Sequence, residues 1–110
     1  MLRINGLKVA TFIGIHTWEH QIKQTLLFDL AIPIDVKRCQ DNIANTLDYD
    51  SVSRWITEYV SQRSFRLLET AADQIVTMLQ QQFSITHLTL SVTKMYAVKN
   101  AGAVQITLQR

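Results

Sequence analysis

The sequence predicts an α+β fold in which two amphipathic helices cover one face of a four-stranded, mostly antiparallel sheet. Four segments show the alternation of apolar and polar residues that is typical of half-buried strands. Two longer segments between the second and third of these show helical spacing instead. The predicted order is ββααββ, in a single domain over residues 1–110 that has no repeat, low-complexity segment or linker.

The first two predicted strands precede the helices. The first runs from Leu2 to roughly Ile15, and its phase changes at Asn5-Gly6, where Gly6 indicates a β-bulge. A polar connection, GIHTWEHQIKQ, leads to the second strand. Pro33 suits a strand end. The apolar residues of the second strand alternate strictly: Leu26, Phe28, Leu30, Ile32 and Ile34.

The two helices follow a loop, KRCQDNIANTLDY. The first helix is predicted from Asp50, as N-cap, to roughly Ser61, and the second from about Leu67 to Gln82. The first presents Val52, Trp55, Ile56, Tyr59 and Val60 at helical spacing. The second presents Leu68, Ala71, Ala72, Ile75, Leu79 and Phe83 on one side.

The third strand, within THLTLSVTK, places a lysine where its pattern calls for an apolar residue. Leu88, Leu90 and Val92 alternate with polar residues, and Lys94 takes the next position on the same face. The lysine either extends its ammonium group to water from the strand end or lies in a partly dry cleft. In a cleft, desolvation favours the neutral amine and allows proton transfer.

The fourth strand, around Val104, Ile106 and Leu108, completes a sheet whose second face is polar but almost uncharged. This face is either an ordinary solvated surface or the inside of a ring in which subunits join their sheet edges. Its residues from the last two strands are His87, Thr89, Ser91, Thr93, Ala103, Gln105, Thr107 and Gln109.

Composition narrows the function classes. Charged residues make up 18% of the chain and the net charge is only +2, with the basic residues scattered, so we expect neither a nucleic-acid nor a membrane partner. A lone cysteine, Cys39, cannot form an internal disulfide. The sequence has no apolar run long enough for a membrane span and no secretory signal, so we expect a cytoplasmic protein.

Three further residues are candidates for chemistry. Glu19, beside Trp18, is either an exposed loop carboxylate or an acceptor for substrate hydroxyls. Glu69 lies in the first turn of the second helix, where the helix dipole favours an anion, but its two oxygens also match two parallel N–H donors of a flat heterocycle. Tyr49, before the first helix, is either a packing residue or one that directs its hydroxyl into a cleft. No metal site is expected from the histidine spacing, and no phosphate-binding or nucleophile motif is present.

Four segments taken together resemble dihydroneopterin aldolase, an enzyme family of the folate pathway. They are TFIGIHTWEHQIKQTLLFDLAI, LDYDSV, RLLETAADQIV and SVTKMYAVKNAGAVQITL, and the resemblance runs from about Arg3 to Gln109. It implies the tunnelling fold, or T-fold, in which subunits join their sheets into a barrel-shaped ring. A homo-oligomer of four or eight subunits is then expected, with active sites between neighbours.

The resemblance also implies roles for particular residues. Glu69 matches the anchor for the pterin ring, helped by main-chain groups near Thr46, Leu47 and Leu68. Glu19 matches the carboxylate that meets the trihydroxypropyl tail of the substrate. Tyr49 and Lys94 match the catalytic tyrosine and lysine. No cofactor is implied.

The implied reaction is retro-aldol cleavage of 7,8-dihydroneopterin, with 2′-epimerisation as a side activity. One departure is Met95-Tyr96, because many aldolases of the family have proline after the lysine. The sister enzyme, dihydroneopterin triphosphate 2′-epimerase, also lacks that proline and is the first alternative, although only Arg63, Arg66 and Lys99 are candidates for binding a triphosphate. A non-catalytic pterin- or purine-binding T-fold protein is the second alternative.

Overall fold

A computed structural model describes residues 1–95 and 100–110 of the chain. It contains one sheet with the strand order β3-β1-β2-β4-β5. The strands are β1 (Leu2–Ile13), β2 (Gln24–Ile32), β3 (Ser64–Phe65), β4 (Thr89–Met95) and β5 (Ala103–Gln109). The helices are α1 (Val36–Cys39), α2 (Tyr49–Ser61) and α3 (Leu68–Phe83), with 3₁₀ turns at Thr17–His20 and Ile43–Asn45.

The sheet confirms the four predicted long strands and their antiparallel pairing. β1 pairs with β2, β2 with β4, and β4 with β5, all antiparallel. The β1–β2 register shifts between Ile4 and Leu7, and Gly6 has a φ of 69°, so the predicted bulge is confirmed. β1 ends at Ile13, two residues before the prediction, and Pro33 follows directly after β2.

A fifth strand was not predicted. Ser64 and Phe65 form β3, which pairs in parallel with Phe12 and Ile13 at the end of β1. Two residues are too few to show an alternating pattern, so only the tertiary pairing defines this strand. The parallel pair brings the start of α3 beside the end of β1.

The helices correct the sequence predictions in their details. Asp48, and not Asp50, caps α2, since its side chain accepts hydrogen bonds from the backbone N–H groups of Asp50 and Ser51. Tyr49 is therefore the first residue of α2 and does not precede it. The loop predicted before α2 contains α1, capped by Asp35, and the Ile43–Asn45 turn.

The core lies between the helices and one face of the sheet, as predicted. Its buried residues include Leu26, Phe28 and Leu30 of β2, and Leu90 and Val92 of β4, packed with the apolar faces of α2 and α3. On the other face the polar side chains bond to one another. The Ser91 and Thr107 hydroxyls are 2.8 Å apart, and Gln105 donates to the Thr93 hydroxyl at 2.8 Å.

No helix in the described ranges is long and apolar enough to cross a membrane. Two residues that entered the sequence interpretation, Tyr96 and Lys99, lie outside the described residues.

Candidate active site

Lys94 ends the apolar face of β4, where it pairs in register with Leu26 of β2 and Val104 of β5. Its side chain is only 12% exposed, and its ammonium group lies 2.5 Å from a carboxylate oxygen of Glu19. The lysine therefore does not extend to solvent from the strand end. A buried partner of opposite charge explains how this position tolerates a charged residue.

Glu19 belongs to the 3₁₀ turn that interrupts the predicted polar connection, and the residue is 5% exposed. The interpretation of Glu19 as an exposed loop carboxylate was therefore wrong. Lys94 and the Gln24 side chain both donate to Oε2, the latter at 3.2 Å, while the His16 backbone N–H donates to Oε1 at 3.3 Å. Three donors hold this carboxylate in one orientation.

The Lys94 hydrogen bond is the largest cause that lowers the pKa of the Glu19 carboxyl, and burial opposes it. Together with the Gln24 and His16 hydrogen bonds and the charge of Lys94, it brings this pKa from 4.5 to about 2. The carboxylate is therefore charged at neutral pH and able to accept hydrogen bonds from hydroxyl groups.

Gly14 provides the space in which the Glu19 carboxylate lies. A Cβ atom at Gly14 would fall 2.1 Å from the Glu19 carboxyl carbon, and the glycine φ of 137° is unfavourable for other residues. The Gly14 carbonyl oxygen is 2.6 Å from His20 Nε2, and the Gly14 N–H donates to the Phe65 carbonyl. Gly14, directly after β1, is thus hydrogen-bonded to the Thr17–His20 turn and to β3.

Leu68 and Glu69 lie at this same end of the sheet, because α3 begins three residues after Phe65, which pairs with Ile13. Leu68 is buried, and Glu69 is exposed in the first turn of α3. The structure therefore brings the exposed Glu69 to the end of the sheet that holds Glu19 and Lys94.

Thr46, Leu47 and Tyr49 lie at the opposite end. Thr46 and Leu47 line a cavity of about 670 Å³ together with Ile32–Asp35 and the segment after α3. Ile32 is six residue steps along β2 from Leu26, the residue that pairs with Lys94, which is about 20 Å at about 3.3 Å per step. Within one chain, these residues cannot reach Lys94.

The position of α2 leads to the same separation. The last turn of α2 lies near the C-terminal end of β1, at the end of the sheet that carries Lys94. The Thr11 hydroxyl at this end of β1 contacts the Val60 and Arg63 carbonyls at 2.9 and 2.6 Å. Tyr49 is twelve residues before Ser61, about 18 Å along the helix axis. The tyrosine is 60% exposed.

Sequence reasoning missed Gln24, Gly14 and Thr11. A polar residue at Thr11, in phase with the buried residues Val9 and Ile13, was an available signal. Gly14 and Gln24 gave no such signal in the sequence, because their contacts with Glu19 depend on how the connection between β1 and β2 folds. Among residues 1–95 and 100–110 there is no group of three or more His, Cys, Asp or Glu residues that could hold a metal ion.

The fold and the site define a small α+β protein with a buried lysine–carboxylate pair at one end of its sheet. The family model of FolB, dihydroneopterin aldolase, matches residues 2–109. The chain belongs to this family.

Relatives carry two different names. The chain is 34% identical to the dihydroneopterin aldolase of Haemophilus influenzae over 109 residues, 97% of this chain and 92% of the relative. It is 28% identical to the dihydroneopterin triphosphate 2′-epimerase of Escherichia coli over 110 residues, 98% of this chain and 92% of that enzyme.

Solved structures agree with the fold. The FolB structure from Vibrio cholerae superposes with a TM-score of 0.95 at 34% identity, covering 99% of this chain and 94% of the other. The dihydroneopterin aldolase of E. coli, in complex with neopterin, gives a TM-score of 0.94 at 28% identity, with 99% and 96% covered. The T-fold prediction is consistent with these structures.

Proposed function

We propose that this protein cleaves 7,8-dihydroneopterin into 6-hydroxymethyl-7,8-dihydropterin and glycolaldehyde. The observation that carries the proposal is the buried Lys94–Glu19 pair, in a chain that matches the aldolase family over almost its whole length. A lysine and a carboxylate in contact form a unit that can bind hydroxyl groups and move a proton.

The substrate supplies the electron acceptor. The N5=C6 imine of the dihydropterin ring is next to the side chain, so it accepts the electron pair released when the C1′–C2′ bond breaks. Removal of the 2′-hydroxyl proton forms the aldehyde group of glycolaldehyde, and protonation of the resulting enamine at C1′ gives the hydroxymethyl product. The reaction as proposed needs neither a metal ion nor a protein Schiff base.

Glu19 and Lys94 act on the substrate tail in this proposal. Substrate hydroxyls that bind Glu19 compete with Lys94 for the same carboxylate oxygen. Once the ammonium group no longer bonds to Glu19, it gives up a proton to water. The neutral amine then accepts the proton of the 2′-hydroxyl, directly or through a water molecule. Lys94 is the general base and proton relay, and Glu19 is the acceptor for the tail.

Glu69 anchors the pterin ring, because its exposed carboxylate can accept from the 2-amino and N3–H groups in parallel. Main-chain groups at Leu68, Thr46 and Leu47 complete the ring contacts. Tyr49 assists the reprotonation of C1′. These roles follow the resemblance to the family, and they place the residues of both ends of the sheet around one ligand.

A second copy of the chain is therefore part of the proposal. Thr46, Leu47 and Tyr49 of one subunit would meet Glu19, Glu69 and Lys94 of the next, which closes a head-to-tail ring. Exposed apolar side chains at both ends support this contact. At the Glu19 end these are Ile15, Trp18 and Ile22, and at the Tyr49 end Val36 and Ile43.

The proposal treats residues 1–110 as one domain and places the protein in the cytoplasm. A cytoplasmic location agrees with the folate-pathway activity proposed here. A measurement of the mass of the assembly in solution would distinguish four subunits from eight.

Product analysis tests the activity. Purified protein is offered dihydroneopterin and its triphosphate separately, and glycolaldehyde is measured together with the 2′-epimers. We expect glycolaldehyde from dihydroneopterin. Epimer formed only from the triphosphate would instead favour the epimerase named among the relatives. Of the three candidate cations for a triphosphate, Arg63 stacks its guanidinium group on the Tyr59 ring, 3.8 Å from the ring centroid.

A further inference from the structure

Gln24 is the residue of this site that the proposed roles leave unused. It is the first residue of β2, partly buried, and pairs in register with Thr11 of β1. Its side-chain amide donates to the Ile13 carbonyl at 3.0 Å and to Glu19 Oε2 at 3.2 Å. Both donors of one amide group are therefore engaged, one with the backbone and one with the candidate catalytic pair.

The direction of these bonds matters for Glu19. Lys94 and Gln24 both donate to Oε2, so two hydrogen bonds hold this carboxylate oxygen. Among the described residues, Oε1 receives one hydrogen bond, from the His16 N–H at 3.3 Å. Gln24 therefore bonds to the same carboxylate oxygen as Lys94, the oxygen for which a substrate hydroxyl competes in the proposed reaction.

The same amide ties the carboxylate to the strand. Ile13 is the last residue of β1, and Gly14 after it contacts the Glu19 carboxyl group. Rotation of the Gln24 side chain would release the Ile13 carbonyl and the carboxylate together. Charge-assisted bonds of this kind are among the stronger ones in proteins.

We propose that Gln24 is a positioning residue, whose amide holds the Glu19 carboxylate against Lys94 and fixes it to the end of β1. This inference rests on the proposed function only for its kinetic consequence. The geometric part of the inference, that Gln24 orients the Glu19 carboxylate, can be tested whatever the substrate is.

Gln24→Met tests the proposal, because methionine keeps the length of the side chain and removes both donors. We expect kcat/KM for dihydroneopterin to fall by about 10- to 100-fold, the factor that corresponds to one hydrogen bond to a charged group. The fall should be mostly in kcat, since ring binding does not involve Gln24. Gln81→Met, an exposed glutamine of α3, is the matched control and should leave both constants unchanged.

A second readout separates positioning from folding. The Glu19 carboxyl pKa, followed by ¹³C NMR, should be higher in Gln24→Met than in the wild type, because one donor to the carboxylate is lost. In the part of the chain that the structure describes, Lys94, His16 and His20 lie beside Glu19, and the variant leaves all three in place. An unchanged Glu19 pKa would overturn the proposal.

Gln24→Glu provides the rescue experiment and serves alone if the methionine variant does not fold. Its side chain has nearly the same shape, but it can donate a hydrogen bond only when protonated. We expect its activity relative to wild type to rise several-fold as pH falls from about 8 to about 5. A pH-independent ratio would mean that Gln24 only fills space. Wild-type protein without glycolaldehyde release would refute the proposed function instead, while the NMR titration would still test Gln24.

Discussion

At the scale of single residues, one ion pair resolves the oddest feature of the sequence. A lysine on the apolar face of a strand is expensive to bury alone, and Glu19 offsets this cost by direct contact. The pair in turn depends on Gly14, since any side chain there would displace the carboxylate. Gly14 and Glu19 of one loop and the distant Lys94 therefore act as one unit.

Lys94→Ala distinguishes an enzyme from a pterin-binding protein. We expect pterin affinity to change less than about threefold, because the ring contacts lie at Glu69, whereas turnover should fall by at least about 100-fold. Affinity is measured by fluorescence titration and turnover by glycolaldehyde release. Equal losses of binding and turnover would indicate that the lysine has a structural role only.

The Glu19 pKa makes a prediction about acid stability. Because the folded-state pKa of about 2 is lower than the ordinary 4.5, the unfolded chain takes up a proton first as pH falls. The stabilisation by ionised Glu19 is thus complete above the unfolded pKa and is lost as pH falls through the folded pKa.

Urea unfolding of the wild type and Glu19→Gln should reveal this loss. The difference between their free energies of unfolding should shrink between about pH 6 and about pH 2. A difference that stays constant over this interval would show that Lys94 does not stabilise the ionised carboxylate.

At the scale of elements, a few side-chain bonds set how helices and strands meet. Asp48 begins α2, and the buried Thr11 hydroxyl contacts carbonyls at the end of the same helix. The two-residue strand β3 then returns the chain beside β1, so that α3 starts at the end of the sheet that holds Glu19. The positions of Glu69 and Tyr49 are consequences of these bonds.

Thr11→Val removes the hydroxyl and keeps the shape of the side chain. The Val60 and Arg63 carbonyls then lose the Thr11 hydroxyl as their hydrogen-bond partner. We therefore expect the free energy of unfolding to fall by about 1–3 kcal/mol. Thr107→Val, on the exposed polar face, is the control and should change it by less than about 0.5 kcal/mol. Equal effects of the two substitutions in urea unfolding would contradict this role for Thr11.

At the scale of the whole molecule, the candidate residues form two groups that lie far apart. Glu19, Glu69 and Lys94 lie at one end of the sheet, and Tyr49 lies at the other. A single folded chain cannot place them around one small molecule. A ring of identical chains can, and it would also enclose the polar, nearly uncharged face of the sheet.

Mixing two inactive variants tests this arrangement. Lys94→Ala and Tyr49→Ala chains, unfolded together in equal amounts and refolded, should form mixed rings in which about one quarter of the sites carry both native residues. Glycolaldehyde release should therefore recover to about a quarter of the wild-type rate, while each variant refolded alone stays inactive. No recovery, in rings shown by mass spectrometry to be mixed, would mean that the two residues serve the same chain's site.

The sequence by itself determined the four long strands, the two main helices and the face that each buries, because alternation and helical spacing are local patterns. The position of Lys94 on the core face was also visible in that pattern. The sequence alone did not reveal β3, the 3₁₀ turn that carries Glu19, or the N-cap role of Asp48.

Only the tertiary structure decided which candidate residues meet. The contact of Glu19 with Lys94 spans 75 positions and depends on a loop folding over Gly14. The separation of Tyr49 from Lys94 follows from the direction in which α2 lies along β1. Contacts of this kind join distant segments, and no short stretch of sequence specifies them, because their free energy arises only once the core has brought the segments together.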